Sequence, residues 1–136
     1  MEITLAAADD LSAIRRYDRH IPPERLEECI RAGRVLVLRE GEVLLGVLRW
    51  SLFWQSIPFL DLIYLDESCR GLGWGRRMME RWESDMARLG FRYVMLSTQA
   101  DEDAQFFYEK LGYRRIGAFL PPDQEAEELM YVKETD

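Results

Sequence analysis

Arg70-Gly71-Leu72-Gly73-Trp74-Gly75 places glycine at alternate positions between an apolar run, Ile57 to Leu65, and a segment from Arg76 to Leu89 whose apolar residues recur at helical spacing. Glycine lets the backbone turn tightly and bring N–H groups close to an anion, while a helix starting there points its positive dipole end at the same spot. The chemistry such a junction supports is phosphate binding. Its spacing narrows the ligand. A dinucleotide fingerprint needs Gly-x-Gly-x-x-Gly, whereas here the third glycine comes one residue early and an arginine precedes the first, and no Gly-Lys-Ser or Gly-Lys-Thr of a Walker loop follows. Asp61 lies inside the apolar run, and strand alternation sets it on one face with Phe59, Ile63 and Leu65, where a carboxylate needs a partner or a function. His20 is the chain's single histidine, and imidazole is a side chain suited to proton transfer near neutral pH. Cys69 precedes the glycines and reads as an inert packed thiol; a reactive thiol beside a helix N-terminus is the alternative.

The elements that must position these residues are short and clearly punctuated. Ile3 to Leu5 reads as a strand, and Asp9 or Asp10 as the cap of a helix carrying Leu11, Ile14 and Tyr17. Pro22-Pro23 opens a helix with Leu26, Cys29 and Ile30 inward, stopped by Gly33. Arg34 to Arg39 and Glu42 to Leu52 flank the turn Glu40-Gly41 as a hairpin, and Ile57 to Leu65 pairs with the second of them. Met78, Trp82, Met86 and Leu89 form the apolar stripe of the helix after the glycines, closed by Gly90. Tyr93 to Ser97 is a strand, Asp101 an N-cap, and Ala104, Phe107 and Leu111 the stripe of a helix ended by Gly112; Tyr113 to Phe119 and Glu128 to Val132 finish as strands. Hairpins followed by alternating helices and strands predict a mixed α/β sheet with helices on its faces. No repeat or linker divides the chain, so residues 1–136 are expected to form one domain.

The net charge of −7 argues against nucleic acid, whose affinity comes mostly from phosphate neutralisation by Lys and Arg. Cys29 and Cys69 lack metal-type spacing and a histidine cluster, so no metal is expected. The start shows no charged-then-apolar signal pattern, and no apolar run approaches the ~20 residues that cross a bilayer. A cytoplasmic protein without membrane contact is the expectation.

The pattern Arg-x-x-Gly-x-Gly, the preceding Ile63-Tyr64-Leu65, and DEDAQFFYEKLGY from Asp101 to Tyr113 together resemble the GNAT superfamily of acetyl-CoA-dependent N-acetyltransferases, in the family's order and spacing and nearly end to end. The resemblance implies a mixed, mostly antiparallel sheet of about six or seven strands with helices on both faces, its two central parallel strands splaying apart. It implies acetyl-CoA as co-substrate, the backbone of Ile63 and Leu65 pairing with the pantetheine arm, and the amides of Arg70, Gly71, Leu72, Gly73, Trp74 and Gly75 receiving the pyrophosphate. Arg76 and Arg77 would add mobile positive charge, or form a solvated face together with Arg81. Tyr108 matches the tyrosine that hydrogen-bonds the CoA sulfur and protonates the departing thiolate, although it also reads as a core aromatic. Tyr113 reads as core.

For the acceptor side the resemblance implies a base or a water chain that takes the amine's proton. Asp61 is the first candidate, matched by face and not by position, since some relatives carry a glutamate where this chain has Phe59. Glu67 and His20 are further candidates, His20 lying in a connection that often borders the acceptor site. Asp101 replaces an asparagine that in relatives bonds the cofactor arm, and an ionised Asp cannot donate that bond. Trp50, Phe53, Trp54 and Tyr64 wall an aromatic pocket, or Trp50 and Phe53 belong to the core or a dimer contact. The acidic stretch Asp123 to Glu128 suits a cationic acceptor or is plain loop charge. A small-molecule or peptide amine as acceptor, with the protein a monomer or homodimer, is the leading reading; a non-catalytic acyl-CoA-binding regulatory or partner-binding module is the alternative.

Overall fold

A computed structural model describes Met1–Asp136. The strands are β1 Glu2–Leu5, β2 Val35–Glu40, β3 Val43–Phe53, β4 Ile57–Leu65, β5 Tyr93–Gln99, β6 Arg114–Phe119 and β7 Glu128–Glu134; the α-helices are α1 Leu11–Ile14, α2 Pro23–Arg31, α3 Trp74–Arg88 and α4 Ala104–Lys110. The strands hydrogen-bond in the order β1-β2-β3-β4-β5-β7-β6. Four neighbouring pairs run antiparallel, β1 with β2, β2 with β3, β5 with β7 and β6 with β7. β4 and β5 are parallel, and their register is short: Phe59 opposite Met95 and Leu60 opposite Leu96. The mixed, mostly antiparallel sheet is the one the sequence implied. No helix is long and apolar enough to cross a membrane.

By contacts the chain divides into two compact units, Met1–Ser51 with Asp61–Trp82, and Leu52–Leu60 with Glu83–Asp136. In the first unit α2 starts with Pro23 at its first turn, where a missing N–H costs nothing, and ends before Gly33 at φ 75°. It buries Leu26, Cys29 and Ile30 in a cluster with Ile14, Val35, Val37, Leu44 and Val47. Tyr17 and Leu62 pack against that cluster. Gly46 on β3 is a close-approach position, since a Cβ there would stand 2.7 Å from Leu65 Cδ2 and 3.2 Å from the Tyr64 carbonyl oxygen. The second unit buries Val94, Leu96, Leu129 and Tyr131 on its strands and Tyr108, Leu111 and Tyr113 around α4. Leu96 and Tyr131 face each other across β5 and β7.

Several local expectations are corrected. α1 spans only four residues after a 3-10 turn, Ala8–Asp10, so Tyr17 falls beyond it. Asp10 holds the N-cap position of α1 as expected but makes no side-chain capping bond there; its carboxylate accepts the Ala7 N–H at 2.8 Å, closing the 3-10 turn, and pairs with Arg39 at 2.8 Å. Asp101 is not the N-cap of α4. That position belongs to Asp103, whose side chain makes no capping bond, while the Gln105 amide donates to the Ala100 and Glu102 carbonyls at 2.9 Å each. Leu89 is 65% exposed and leaves the α3 stripe, where Met79 joins Met78, Trp82 and Met86 as buried. β4 also reads differently: Pro58 and Leu60 are its buried positions, so the face that carries Asp61 is half-open instead of core.

Candidate active site

The glycine turn begins where β4 ends. Asp66 accepts from the Ser68 N–H at 3.1 Å and the Ser68 hydroxyl at 2.5 Å, closing a 3-10 turn over Glu67–Cys69. Those Ser68 hydrogen bonds hold the Asp66 pKa below its ordinary value. Arg70 folds back, its Nε donating to the Leu65 carbonyl at 3.0 Å and its guanidinium lying 5.2 Å from the centroid of Tyr64. Tyr64 in turn stacks on Tyr17 at 5.3 Å.

The next residues are held by backbone conformation. Gly71 and Gly73 take φ values of 75° and 89°, which a side chain would strain, and nothing lies within 4 Å of where a Cβ would stand. The positions therefore need glycine for the turn and leave open space above it. Trp74 and Gly75 are already helical, two residues before the start expected from the sequence. A 15-residue helix thus opens directly from the turn, with its first-turn N–H groups free of intrahelical partners. Of the arginines that follow, Arg76 pairs with Glu80 at 3.6 Å, Arg77 covers the Trp74 ring at 4.6 Å, and Arg81 donates to the Ile3 carbonyl at 2.9 Å. Backbone amides, more than side chains, are what this turn offers to an anion. Leu72 stands 67% exposed at the tip.

Asp61 is the second feature of the first unit. Arg49 Nη1 lies 3.5 Å from its Oδ2, and the other edge of the same guanidinium meets Asp18, with Nε donating to Oδ2 at 2.6 Å and Nη2 to Oδ1 at 3.4 Å. The Asp18 side chain has no exposure, that of Arg49 7% and that of Asp61 24%. Desolvation raises the Asp61 pKa, against the lowering pull of a Ser51 hydrogen bond and the charges of Arg49 and Arg34. The carboxylate is paired without being enclosed, so it can still meet a ligand. Asp18 and Arg49 were missed by sequence reasoning. The signal was present in Arg49, a charge within the otherwise apolar stretch Val43 to Trp50, which must find a counter-ion when buried.

Tyr108 belongs to the second unit. It is 7% exposed, contacts Phe107 and Tyr113 edge-on with centroids 5.3 and 6.0 Å apart, and its hydroxyl makes no hydrogen bond within the protein. Burial, aided by the Glu102 charge, pushes its pKa up to about 12. The neighbouring tyrosines differ, since Tyr113 donates to Glu83 and Tyr131 to Glu109, both at 2.7 Å. Tyr113 is a core residue at 4% exposure, its pKa raised further by burial and the Glu83 carboxylate.

The remaining candidates scatter. Ile63 and Leu65 are half-buried on β4, and Leu65 lends its carbonyl to Arg70. His20 is exposed and uses its backbone N–H on Asp18 at 3.3 Å. Trp50 is buried at 7% exposure, which puts it in the core and not in the wall of an open pocket. Trp54 is 80% exposed at the β3–β4 turn, where it and Gln55 both take positive φ. Asp101 and Glu67 are exposed, and Cys69 is buried. No three His, Cys, Asp or Glu side chains gather to hold a metal.

A mixed sheet with a short central parallel register, followed by a glycine turn that opens into a long helix, defines an acyl-CoA-type acetyltransferase fold. The chain belongs to the acetyltransferase (GNAT) family, whose pattern it matches over residues 5–113. Ard1 from Thermoplasma volcanium shares the fold with a TM-score of 0.85 at 17% identity, over 98% of this chain and 97% of that one. The ribosomal-protein-S18-alanine N-acetyltransferase from Escherichia coli gives 0.80 at 16%, over 98% and 93%. An aminoglycoside 6'-N-acetyltransferase complexed with coenzyme A gives 0.80 at 18%, over 100% and 98%. No curated protein matches the chain in sequence.

Proposed function

We propose that the chain transfers the acetyl group of acetyl-CoA to the primary amine of a small molecule by direct attack. The observation that carries the reading is the Tyr108 hydroxyl, held protonated on a buried ring, its oxygen still open to solvent and without a partner in the protein, beside two tyrosines whose hydroxyls are committed to glutamates. The buried side-chain donor left without a partner is Trp82 Nε1, whereas the Tyr108 oxygen is open to a ligand. In this reading the thioester supplies the activated acyl group. The amides of Gly71 to Gly75 hold the pyrophosphate, and the backbone of Ile63 and Leu65 holds the pantetheine arm. Asp61 takes the proton of the ammonium, its place fixed by Arg49.

Tyr108 donates a hydrogen bond to sulfur and keeps its proton, so the sulfur leaves as a thiolate and is protonated by the second amine proton, released as the amide forms. With the phenol at about 12, moving that proton onto a thiolate whose thiol titrates near ~8.5 would run uphill by about 5 kcal/mol. Both cysteines are free and buried, which suits a reducing cytoplasm.

A thiol-release assay across a panel of primary amines, with calorimetry of acetyl-CoA binding, tests the proposal. Amine-dependent release is expected. Tight binding with no release from any amine would move the reading to the non-catalytic module, and no binding would end both.

A further inference from the structure

The unit formed by Leu52–Leu60 and Glu83–Asp136 carries two features that acetyl transfer does not use. One is the β3–β4 turn. The Ser56 N–H donates to the Phe53 carbonyl at 3.0 Å, so Trp54 and Gln55 are the central residues of a tight hairpin turn, with φ 56° and 59°. Such a turn favours Asn-Gly, because both residues must be left-handed, and a tryptophan is strained there. The strain holds Trp54 out at 80% exposure, braced on Phe53 with ring centroids 4.9 Å apart, and Phe53 stacks in turn on Phe59.

The other is a cavity of about 200 Å³ lined by Tyr93, Gly112, Arg114, Val132, Lys133 and Glu134. Phe59 pairs with Met95, so the turn before β4 and Tyr93 at the start of β5 lie at the same end of the sheet. Tyr93 pairs with Glu134 and Arg114 with Val132, which brings the lining to that end across β5, β7 and β6. β4, β5 and β7 are successive neighbours at about 4.8 Å spacing, so the tryptophan and the cavity sit roughly 10 Å apart. The exposed Trp54 does not fill the cavity of its own chain. The cavity suits an indole: Arg114 supplies a cation for the ring face, Glu134 a carboxylate for the Nε1–H, and Val132 an apolar floor.

A knob and a hole side by side on one surface are self-complementary about a twofold axis between them. Charge favours the same pairing. Residues 51–60 carry no charge in a chain that is 32% charged with a net charge of −7, so this tip brings two copies together with least repulsion. We infer that the chain forms a twofold dimer in which Trp54 of each copy enters the cavity between Tyr93, Arg114 and Glu134 of the other. Two indoles of about 150–250 Å² each, with equal areas on the cavities that receive them, give about 600–1,000 Å² in all. That is the small end of specific interfaces, so the dimer is weak and reversible.

Sedimentation velocity of the full chain from about 1 μM to about 1 mM tests it, with the average mass expected to rise from one chain toward two. Trp54→Gly suits the left-handed turn, so it is expected to keep at least the wild-type thermal midpoint and to weaken the dimer about tenfold or more. Arg114→Glu, an exposed change on the cavity side, is expected to weaken it as well. An equimolar mixture of the two variants should associate more than either alone, because one intact knob then meets one intact hole. A mixture no better than its components, or loss in only one variant, would overturn the inference. So would a dimer that neither variant weakens, and a wild type that stays a single chain at about 1 mM would leave the tip to a different partner and end it.

Discussion

The glycine turn and the Asp18–Arg49–Asp61 cluster lie in the same compact unit and are built by opposite means. The turn is local: six consecutive residues, two left-handed glycines and the first turn of α3 present backbone amides, and removing any one side chain leaves the arrangement in place. The cluster is assembled from distant residues, a buried aspartate 31 positions before its arginine and a second carboxylate on the next strand. Backbone sites tolerate side-chain loss and fail on conformational change; ion clusters do the reverse.

Truncating Arg49 should break that contrast most forcefully. Arg49→Gln leaves the unexposed Asp18 carboxylate without its counter-ion, a loss of about 3–5 kcal/mol. The comparison variant Arg70→Gln at the exposed turn should stay within about 1 kcal/mol, and urea denaturation of the two measures the gap. Comparable midpoints would show that the cluster does not carry the stability assigned to it.

Gly46→Ala comes next. Its Cβ would collide with the tip of the Leu65 side chain, which must swing aside, and would press on the Tyr64 carbonyl and Leu38 by a few tenths of an ångström, at about 1–3 kcal/mol. Because Leu65 leads into the glycine turn, acetyl-CoA affinity should fall as well; calorimetry that finds wild-type affinity would detach the turn from the strand before it.

Asp61→Asn is the mildest and sharpens the electrostatic side. Burial holds the Asp61 pKa above 3.8, so the folded chain binds this proton more tightly than the unfolded chain. The stability linked to it is fully present below the unfolded value and is lost as pH rises through the raised folded value. The variant should therefore gain on wild type in thermal midpoint as pH rises from about 4 toward 7. A midpoint difference that moves the other way would mean the carboxylate is stabilised, not strained, by its surroundings. If Asp61 is the base, the acid limb of acetylation should follow the same raised pKa and disappear in the variant.

What could be read from the sequence divides along the same line. The turn, β4 and the inward face of α2 follow from glycine spacing, apolar runs and Pro-Pro entry, all of them local signals. Asp18 was invisible because its neighbours Arg16, Tyr17 and Arg19 make it look like one more loop charge, and its burial depends on a strand that comes later in the chain. Arg49 was legible in principle, as a charge in an apolar strand. Asp61 was picked for being enclosed, yet its face of β4 is half-open and its pairing is what distinguishes it. Capping was legible in position at Asp10 and not at Asp101: Asp10 is the N-cap of α1 but spends its carboxylate on the Ala7 amide and Arg39, while the N-cap of α4 is Asp103, two residues after the one expected. Tyr108 was found by its motif, but its distinction from Tyr113 lies in hydrogen bonds that no spacing reveals.

The central claim is that the Tyr108 hydroxyl is kept free to bond the leaving sulfur. Tyr108→Phe tests it most directly, because the hydroxyl bonds nothing in the protein and its removal should leave the thermal midpoint unchanged. Steady-state thiol release with the best amine of the panel is predicted to drop about 10²-fold in kcat, with acetyl-CoA affinity retained. Turnover equal to wild type in a folded, acetyl-CoA-binding variant would contradict it.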